Sequence, residues 1–229
     1  MALTWPATVL REGDVVIDVG AHCGAYARDF VHYVGPTGYV CAVEPVRASY
    51  DELVHRAAGI PQIRPVWAAI RGQAGTATMY RDAEDARRSS LWAANRIEDG
   101  GMEIVPALTL DEVLETLPDV PTVIKIDAQG AEGEILRGAA QCLRAGPWWN
   151  VELWPTGLAA AGSSIDAVLE PFRASGYVPH LSGSREWEAI RRMVWNCRRP
   201  HQSVDVIFEP PMRRVMAETL APVTAAIDG

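Results

Sequence analysis

Lysine is almost missing from this chain. Among its 21 basic residues the single lysine is Lys125, set inside an apolar stretch. A lysine in an apolar strand is expected to carry an ion-pair partner. Basic residues as a whole fall short of the 29 acidic ones, for a formal net charge of −8. Such a surface repels phosphate backbones, so general nucleic-acid binding is not expected. Arg185, Arg191, Arg192, Arg198 and Arg199 cluster near the C-terminal end. They read first as a solvated helix-and-loop face and second as a site for an anionic substrate.

Long apolar runs are absent too. None reaches the ~18 residues that span a bilayer, so no membrane partner is expected. The start, MALTWPATVLREGD, lacks a basic segment followed by an apolar one, and a cytoplasmic location is the expectation. The four cysteines, Cys23, Cys41, Cys142 and Cys197, form no CxxC or CxxH pair. A structural zinc site is therefore not expected, nor are metal ligands, and reduced, buried thiols are the expectation. No repeat or low-complexity segment occurs.

What is present is an alternation of short apolar runs with amphipathic stretches, the pattern of strand–helix–strand units around a parallel sheet. Strands are expected at Val15–Val19, Tyr39–Val43, Ile63–Ile70, Gly75–Tyr80, Ile104–Leu108, Thr122–Asp127, Trp149–Leu153, Tyr177–Leu181 and Ser203–Phe208. Helices are expected at Ala25–Tyr33, Arg47–Ala57, Glu112–Leu117, Ala131–Leu143 and Ile165–Ala174. Tyr50, Leu53, Val54 and Ala57 form the apolar face of the second helix. Thr109 or Asp111 caps the third. The stretch Asp82–Arg88 is charged and reads as exposed. A domain over 1–210 and a tail over 211–229, with room for one helix, complete the chain.

The most informative segment is Asp18-Val19-Gly20-Ala21-His22-Cys23-Gly24, between a strand and a helix. Glycines permit a sharp turn and a close approach to a ligand, and the helix start offers free amides. A dinucleotide fingerprint would be G-x-G-x-x-G. Here three residues separate Gly20 from Gly24, and an acidic residue precedes them. The loop therefore suits a cofactor without a pyrophosphate, with Asp18 placed for a cationic amino group. Glu44 ends the second strand, where a carboxylate can accept both hydroxyls of a ribose. Loop and carboxylate together indicate an adenosine cofactor.

Three stretches resemble the FkbM-type methyltransferases. They are Val16–Gly24; then Ala68-Ala69-Ile70 through Gly75 with Ser89-Ser90-Leu91 and Leu110-Asp111; and Ile124-Lys125-Ile126-Asp127-Ala128-Gln129-Gly130-Ala131-Glu132, continuing to Leu136, Gly138 and Val151-Glu152. The likeness runs from about Asp14 to Leu153, and the third stretch is the most specific. It departs from the family's pattern twice. His22 stands where the family usually has asparagine, and Gln129 where it usually has glutamate.

The resemblance implies a Rossmann-like class I methyltransferase fold of the α/β class: seven mostly parallel strands with an antiparallel last strand, helices on both faces. It implies S-adenosyl-L-methionine as cofactor and a hydroxyl on a small molecule, a sugar or polyketide-like product, as methyl acceptor. Cofactor contacts fall on Asp18, Gly20, Ala21, His22, Gly24, Glu44, Pro45, Ala68 and Asp127. Acceptor contacts fall on Ser89, Ser90, Gln129 and Glu132, although a first-turn role in its helix is nearly as good a reading of Glu132. Asp127 is the first candidate base and His22 the second. His180 and His201 enter only if the C-terminal segments fold over the site. A non-catalytic cofactor-binding scaffold and an NAD-dependent oxidoreductase are the competing readings. The acceptor is the expected partner, and a homodimer is left open.

Overall fold

The computed structural model describes residues 6–83, 89–95, 99–197, 199 and 202–211. Residues 84–88 of the expected charged run lie outside it, as do Arg198, His201 and the tail beyond residue 211. Asp82, at the head of that run, is buried rather than exposed.

After a short helix α1 (Pro6–Val9), the chain winds regularly. Strand β1 (Val15–Val19), helix α2 (Ala25–Val34), strand β2 (Tyr39–Val43), helix α3 (Arg47–Ala57) and strand β3 (Ile63–Val66) run outward in parallel pairing. The strands are apolar because helices cover both their faces. Gly35, at φ 65, ends α2. On α3 the buried positions are Ser49, Leu53 and Ala57, while Val54 is 42% exposed. The helix lies on the sheet along its i, i+4, i+8 row, which turns Val54 outward.

The expected strand Ile63–Ile70 is two strands. β3 stays in the main sheet, and β4 (Ala69–Ile70) leaves it to pair with β6 (Asp99–Leu108). β6 also pairs with β5 (Gly75–Asp82), giving a small sheet in the order β4-β6-β5. Helix α4 (Leu110–Leu114) then brings the chain back. Thr109 caps it in a capping box with Glu112. Asp111 caps a different helix, accepting the amides of Gln141 and Cys142.

Strand β7 (Val123–Ile126) enters beside β1, on the side away from β2. Helices α5 (Glu132–Arg137) and α6 (Ala140–Ala145) replace the single helix expected over Ala131–Leu143. They part at Gly138, whose carbonyl accepts the amide of Asp111 and whose Cβ, if present, would stand 2.7 Å from Arg71 O. Then come β8 (Trp148–Leu153), α7 (Pro155–Ala160), α8 (Ile165–Ala174), β9 (Val178–His180), α9 (Trp187–Trp195) and β10 (Val204–Glu209). The periodicity pointed to neither α7 nor α9.

The main sheet runs β3-β2-β1-β7-β8-β10-β9, with β10 antiparallel to both neighbours. It is the seven-stranded, mostly parallel sheet with an antiparallel last strand, flanked by helices. Two cores form by alternation along the strands. Ile17, Val19, Ile124, Ile126 and Trp149 face one way. Val16, Val40, Ala42 and Val123 face the other, under α2. Winding reverses between β1 and β7, so the carboxyl ends of these strands open a crevice, the place where open α/β sheets bind ligands. Among the described residues no helix is long and apolar enough to cross a membrane.

Candidate active site

A cavity of about 390 Å³ lies at this crevice. Its floor is the β1 loop Gly20, Ala21, His22 and Cys23. One side is Glu44 and Pro45 at the end of β2, and the far end is Asp127, Ala128 and Gln129 after β7. The interrupted middle of the chain supplies an apolar wall: Ala68, Ala69 and Met79 from β4, β5 and their approach, with Leu91 beyond. Val46 and Ile70 complete it. A slot of this kind accepts a flat aromatic ring, whose burial is favourable without hydrogen bonds.

The loop is held by its own geometry. Gly20 has φ 76, and its amide and that of Ala21 both donate to Val43 O. A Cβ on Gly20 would fall 1.8 Å from the carbonyl oxygen of Asp127. Gly20 is therefore required by the approach of β1 to β7 before any ligand is considered. Gly24, at φ 82, precedes α2 and packs on Leu53, which a Cβ would approach to 2.6 Å. It fixes the helix against α3 and does not line the cavity. His22 has φ 50, a left-handed conformation that asparagine and histidine tolerate better than most residues. This accounts for histidine standing where the family uses asparagine.

Glu44 is buried, and both its oxygens take backbone amides: His22 N at 2.8 Å and Val46 N at 2.9 Å. Burial pushes its carboxyl up to about 7, the two amides acting against that. Each oxygen keeps a lone pair for a further donor from the cavity. The same contacts bring the His22 backbone beside Glu44.

Asp18 lines no part of the cavity. It is fully buried, with Lys125 Nζ 3.4 Å from its Oδ1. That lysine also lies 3.6 Å from Asp127 Oδ2 and 4.6 Å from the centre of the Tyr26 ring. The ion-paired reading of Lys125 holds, and the place expected for Asp18 at a cationic ligand group is corrected: its counter-ion is the lysine. Burial works against the lysine's charge, but Asp18, Asp127 and Tyr26 outweigh it and hold its pKa above the ordinary value. Burial raises the Asp18 carboxyl. Asp127 is half-buried, its side chain 31% exposed, and although desolvation acts to raise its carboxyl, Lys125 and hydrogen bonds from its neighbours bring it below the usual range.

Four residues expected at the acceptor separate in space. Ser89 and Gln129 line the cavity. Ser90 is buried, and its hydroxyl donates to the carbonyl of Gln129. Glu132 is fully buried and accepts the amides of Ala128 and Gly130, so it pins the loop after β7 from behind. For Ser90 and Glu132 the structure replaces a ligand-facing position with a loop-holding one. Burial raises Glu132 to about 7.

Two further residues, one lining the cavity and one hydrogen-bonded to its lining, were not anticipated. Tyr26, in the first turn of α2, lines the cavity above Lys125. Glu152, on β8, accepts from Gln129 Nε2 at 3.0 Å and from Ser203 Oγ at 2.7 Å. A tyrosine in the first helical turn after the loop was the signal for the first. The second depends on strand order, which places β8 beside β7. His180 lies at the opposite end of the sheet, its Nε2 2.8 Å from Glu209 Oε2, and takes no part in the site. The arginines that lie within the described residues behave as a solvated face, with Arg191 on Asp166 and Arg185 on Glu209.

The comparisons with known proteins agree with this architecture. No curated protein matches the chain. Among solved structures, the FkbM methyltransferase of Methylobacillus flagellatus superposes with a TM-score of 0.55 at 15% identity, covering 90% of this chain and 47% of that one. This chain thus spans about half the length of that structure. A proposed rRNA methylase of Clostridium thermocellum gives 0.53 at 10% identity, covering 90% and 91%. A candidate methyltransferase of Streptococcus mutans, solved with SAH, gives 0.50 at 9% identity, covering 90% and 93%. These likenesses establish the fold. The profile of the methyltransferase FkbM domain matches residues 18–178, and the chain belongs to that methyltransferase family.

Proposed function

We propose that this chain transfers the methyl group of S-adenosylmethionine to a hydroxyl of a small molecule. The observation that carries this reading is the cavity itself: an apolar slot, a buried carboxylate at one side, and an ionised aspartate at the far end. The volume falls in the range of sites for compact organic ligands. The residues present fit the cofactor. Glu44 would accept the ribose hydroxyls, Val46, Ala68, Met79 and Leu91 would sandwich the adenine, and Gly20 and Ala21 would let the methionine end pass close to the backbone. The loop lacks a pyrophosphate cradle, which disfavours a nicotinamide dinucleotide.

Bound S-adenosylmethionine supplies a sulfonium methyl as electrophile. The protein's part is alignment and removal of one proton from the acceptor hydroxyl. Asp127 is suited to receive that proton. Its carboxyl is held ionised by Lys125, and Gln129 Nε2 donates to its Oδ1 at 2.9 Å, which fixes its plane. His22 stands with Glu44 and is the weaker candidate. Ser89 and Gln129 are placed to touch the acceptor. A sugar or polyketide-like product is the acceptor class, following the family resemblance, and the excess of acidic residues disfavours nucleic acid.

Isothermal titration with S-adenosylmethionine, S-adenosylhomocysteine and NAD tests the reading. The first two should bind and NAD should not. Binding of NAD alone would overturn it, and cofactor binding without turnover on any hydroxylated acceptor would favour a scaffold.

A further inference from the structure

Gln129 is one of the two positions at which this chain departs from the pattern it resembles, with an amide in place of the usual glutamate, and its surroundings suit an amide. Gln129 Nε2 donates to Asp127 Oδ1 at 2.9 Å and to Glu152 Oε2 at 3.0 Å. An amide nitrogen has two hydrogens, and both are used. A glutamate has none to give and would add a third negative charge between two carboxylates. One nitrogen therefore spans both carboxyl groups, which places them side by side in a half-buried setting. Like charges this close disfavour each other, and the one adjacent cation, Lys125, lies against Asp127, so the arrangement favours one proton held by the pair.

The arrangement is braced from outside. Gln129 adopts φ 51, a strained left-handed backbone. Its carbonyl is fixed by Ser90 Oγ at 3.0 Å and Asn95 Nδ2 at 3.0 Å. Ser203 Oγ donates to Glu152 Oε1 at 2.7 Å, which sets the other carboxyl. The alternation of the sheet puts Asp127 and Glu152 on the α2 face, in line with Lys125 and Asn150, one pleat earlier.

We propose that Glu152 and Gln129 are positioning residues for Asp127, forming with it a unit that holds a single proton between the two carboxyl groups and aims Asp127 into the cavity. This rests on the reading that Asp127 lies at the reacting end. In that role Asp127 takes the proton of the acceptor hydroxyl, the pair passes from one proton to two, and one is returned to water after the product leaves. The groups that face the pair are Lys125 on its own strand, Asp18 on β1, Tyr26 on α2, Glu44 at the end of β2, Glu132 on α5 and Asp205 on β10. Lys125 is the only cation among them. It lies against Asp127 and selects that residue as the ionised partner, which leaves the proton on Glu152. Consistent with this, burial and the Asp127 charge push Glu152 up to about 8.

The test is a carboxyl-carbon NMR titration of the full chain labelled with ¹³C. Asp127 should titrate below the usual carboxylate range and Glu152 near pH 8. In Asp127→Asn the neighbouring charge is gone, and the Glu152 midpoint should fall by about one to two units. In Gln129→Met both carboxylates lose a donor, and both midpoints should rise. Circular dichroism checks folding, and if one variant fails to fold the other decides. Midpoints that stay put in the folded variants would overturn the shared proton. S-adenosylmethionine titration of the same samples is a separate readout. A wild-type chain that binds the cofactor but shows no raised Glu152 midpoint counts against the unit alone, and failure of the wild-type chain to bind the cofactor counts against the functional reading.

Discussion

The carbonyl oxygen of Asp127 occupies the space that a β-carbon on Gly20 would need, 1.8 Å away. One glycine thus joins the loop after β1 to the strand that carries the candidate base. The contact is backbone to side-chain position, so no rotamer change can relieve it. Gly20→Ala should destabilise the chain by at least about 2 kcal/mol, from the clash and from the positive φ together. Urea unfolding followed by circular dichroism measures this. A variant with wild-type stability that merely loses cofactor binding would show that the glycine serves the ligand and not the strand junction.

Glu44 predicts a pH dependence. Its folded carboxyl sits at about 7 and its ordinary value at 4.5. A raised folded value means the protonated form suits the fold, so its contribution to stability is present below about pH 4.5 and is lost as pH rises through 7. Ribose hydroxyls need the ionised form as acceptor. S-adenosylmethionine affinity should therefore rise between pH 6 and 8, whereas stability should fall from about pH 4.5 to 7. Glu44→Gln should flatten both trends, and Glu44→Ala should cost about 1–3 kcal/mol of binding. Calorimetric titration across that pH range checks it, and flat wild-type affinity would remove Glu44 from the site.

Lys125 and Asp18 form the buried pair on which the loop stands. Lys125→Met leaves Asp18 enclosed without its cation. The cost should be about 3–5 kcal/mol at pH 7. The Asp18 carboxyl is raised even beside the lysine, so the variant should recover stability as pH falls and the aspartate takes a proton. Chemical denaturation at pH 5 and pH 8 tests the sign. A larger loss at the lower pH would contradict the pairing.

Asp127→Asn keeps the shape of the side chain and removes the base. Turnover should drop by about 10²–10⁴-fold, with cofactor affinity changing little. Single-turnover methyl transfer beside cofactor titration separates the two. Full activity would remove Asp127 from proton transfer and make His22 the next residue to examine.

The sequence by itself determined the elements whose causes are local. β-Branched runs made β1, β2 and β7 strands, and Gly20 and Gly24 marked the turn between strand and helix. Glu44 at a strand end and Asp127 in a distinctive motif were both legible, because each needs only its neighbours in the chain to be recognised. Tertiary structure decided what depends on register and on burial. Ile63–Ile70 split because β4 found a partner in β6, Ala69 pairing with Ala107 and Ile70 with Leu108. Asp18 turned from ligand contact to counter-ion because β1 pairs with β7 and sets it opposite Lys125. Ser90 and Glu132 point into the protein because the loop after β7 has amides and carbonyls that need partners. Glu152 joined the site because β8 lies beside β7. The physical reason is the same in each case: a charged or polar side chain takes its role from the groups that share its low-dielectric surroundings, and those are assembled only when distant strands pair.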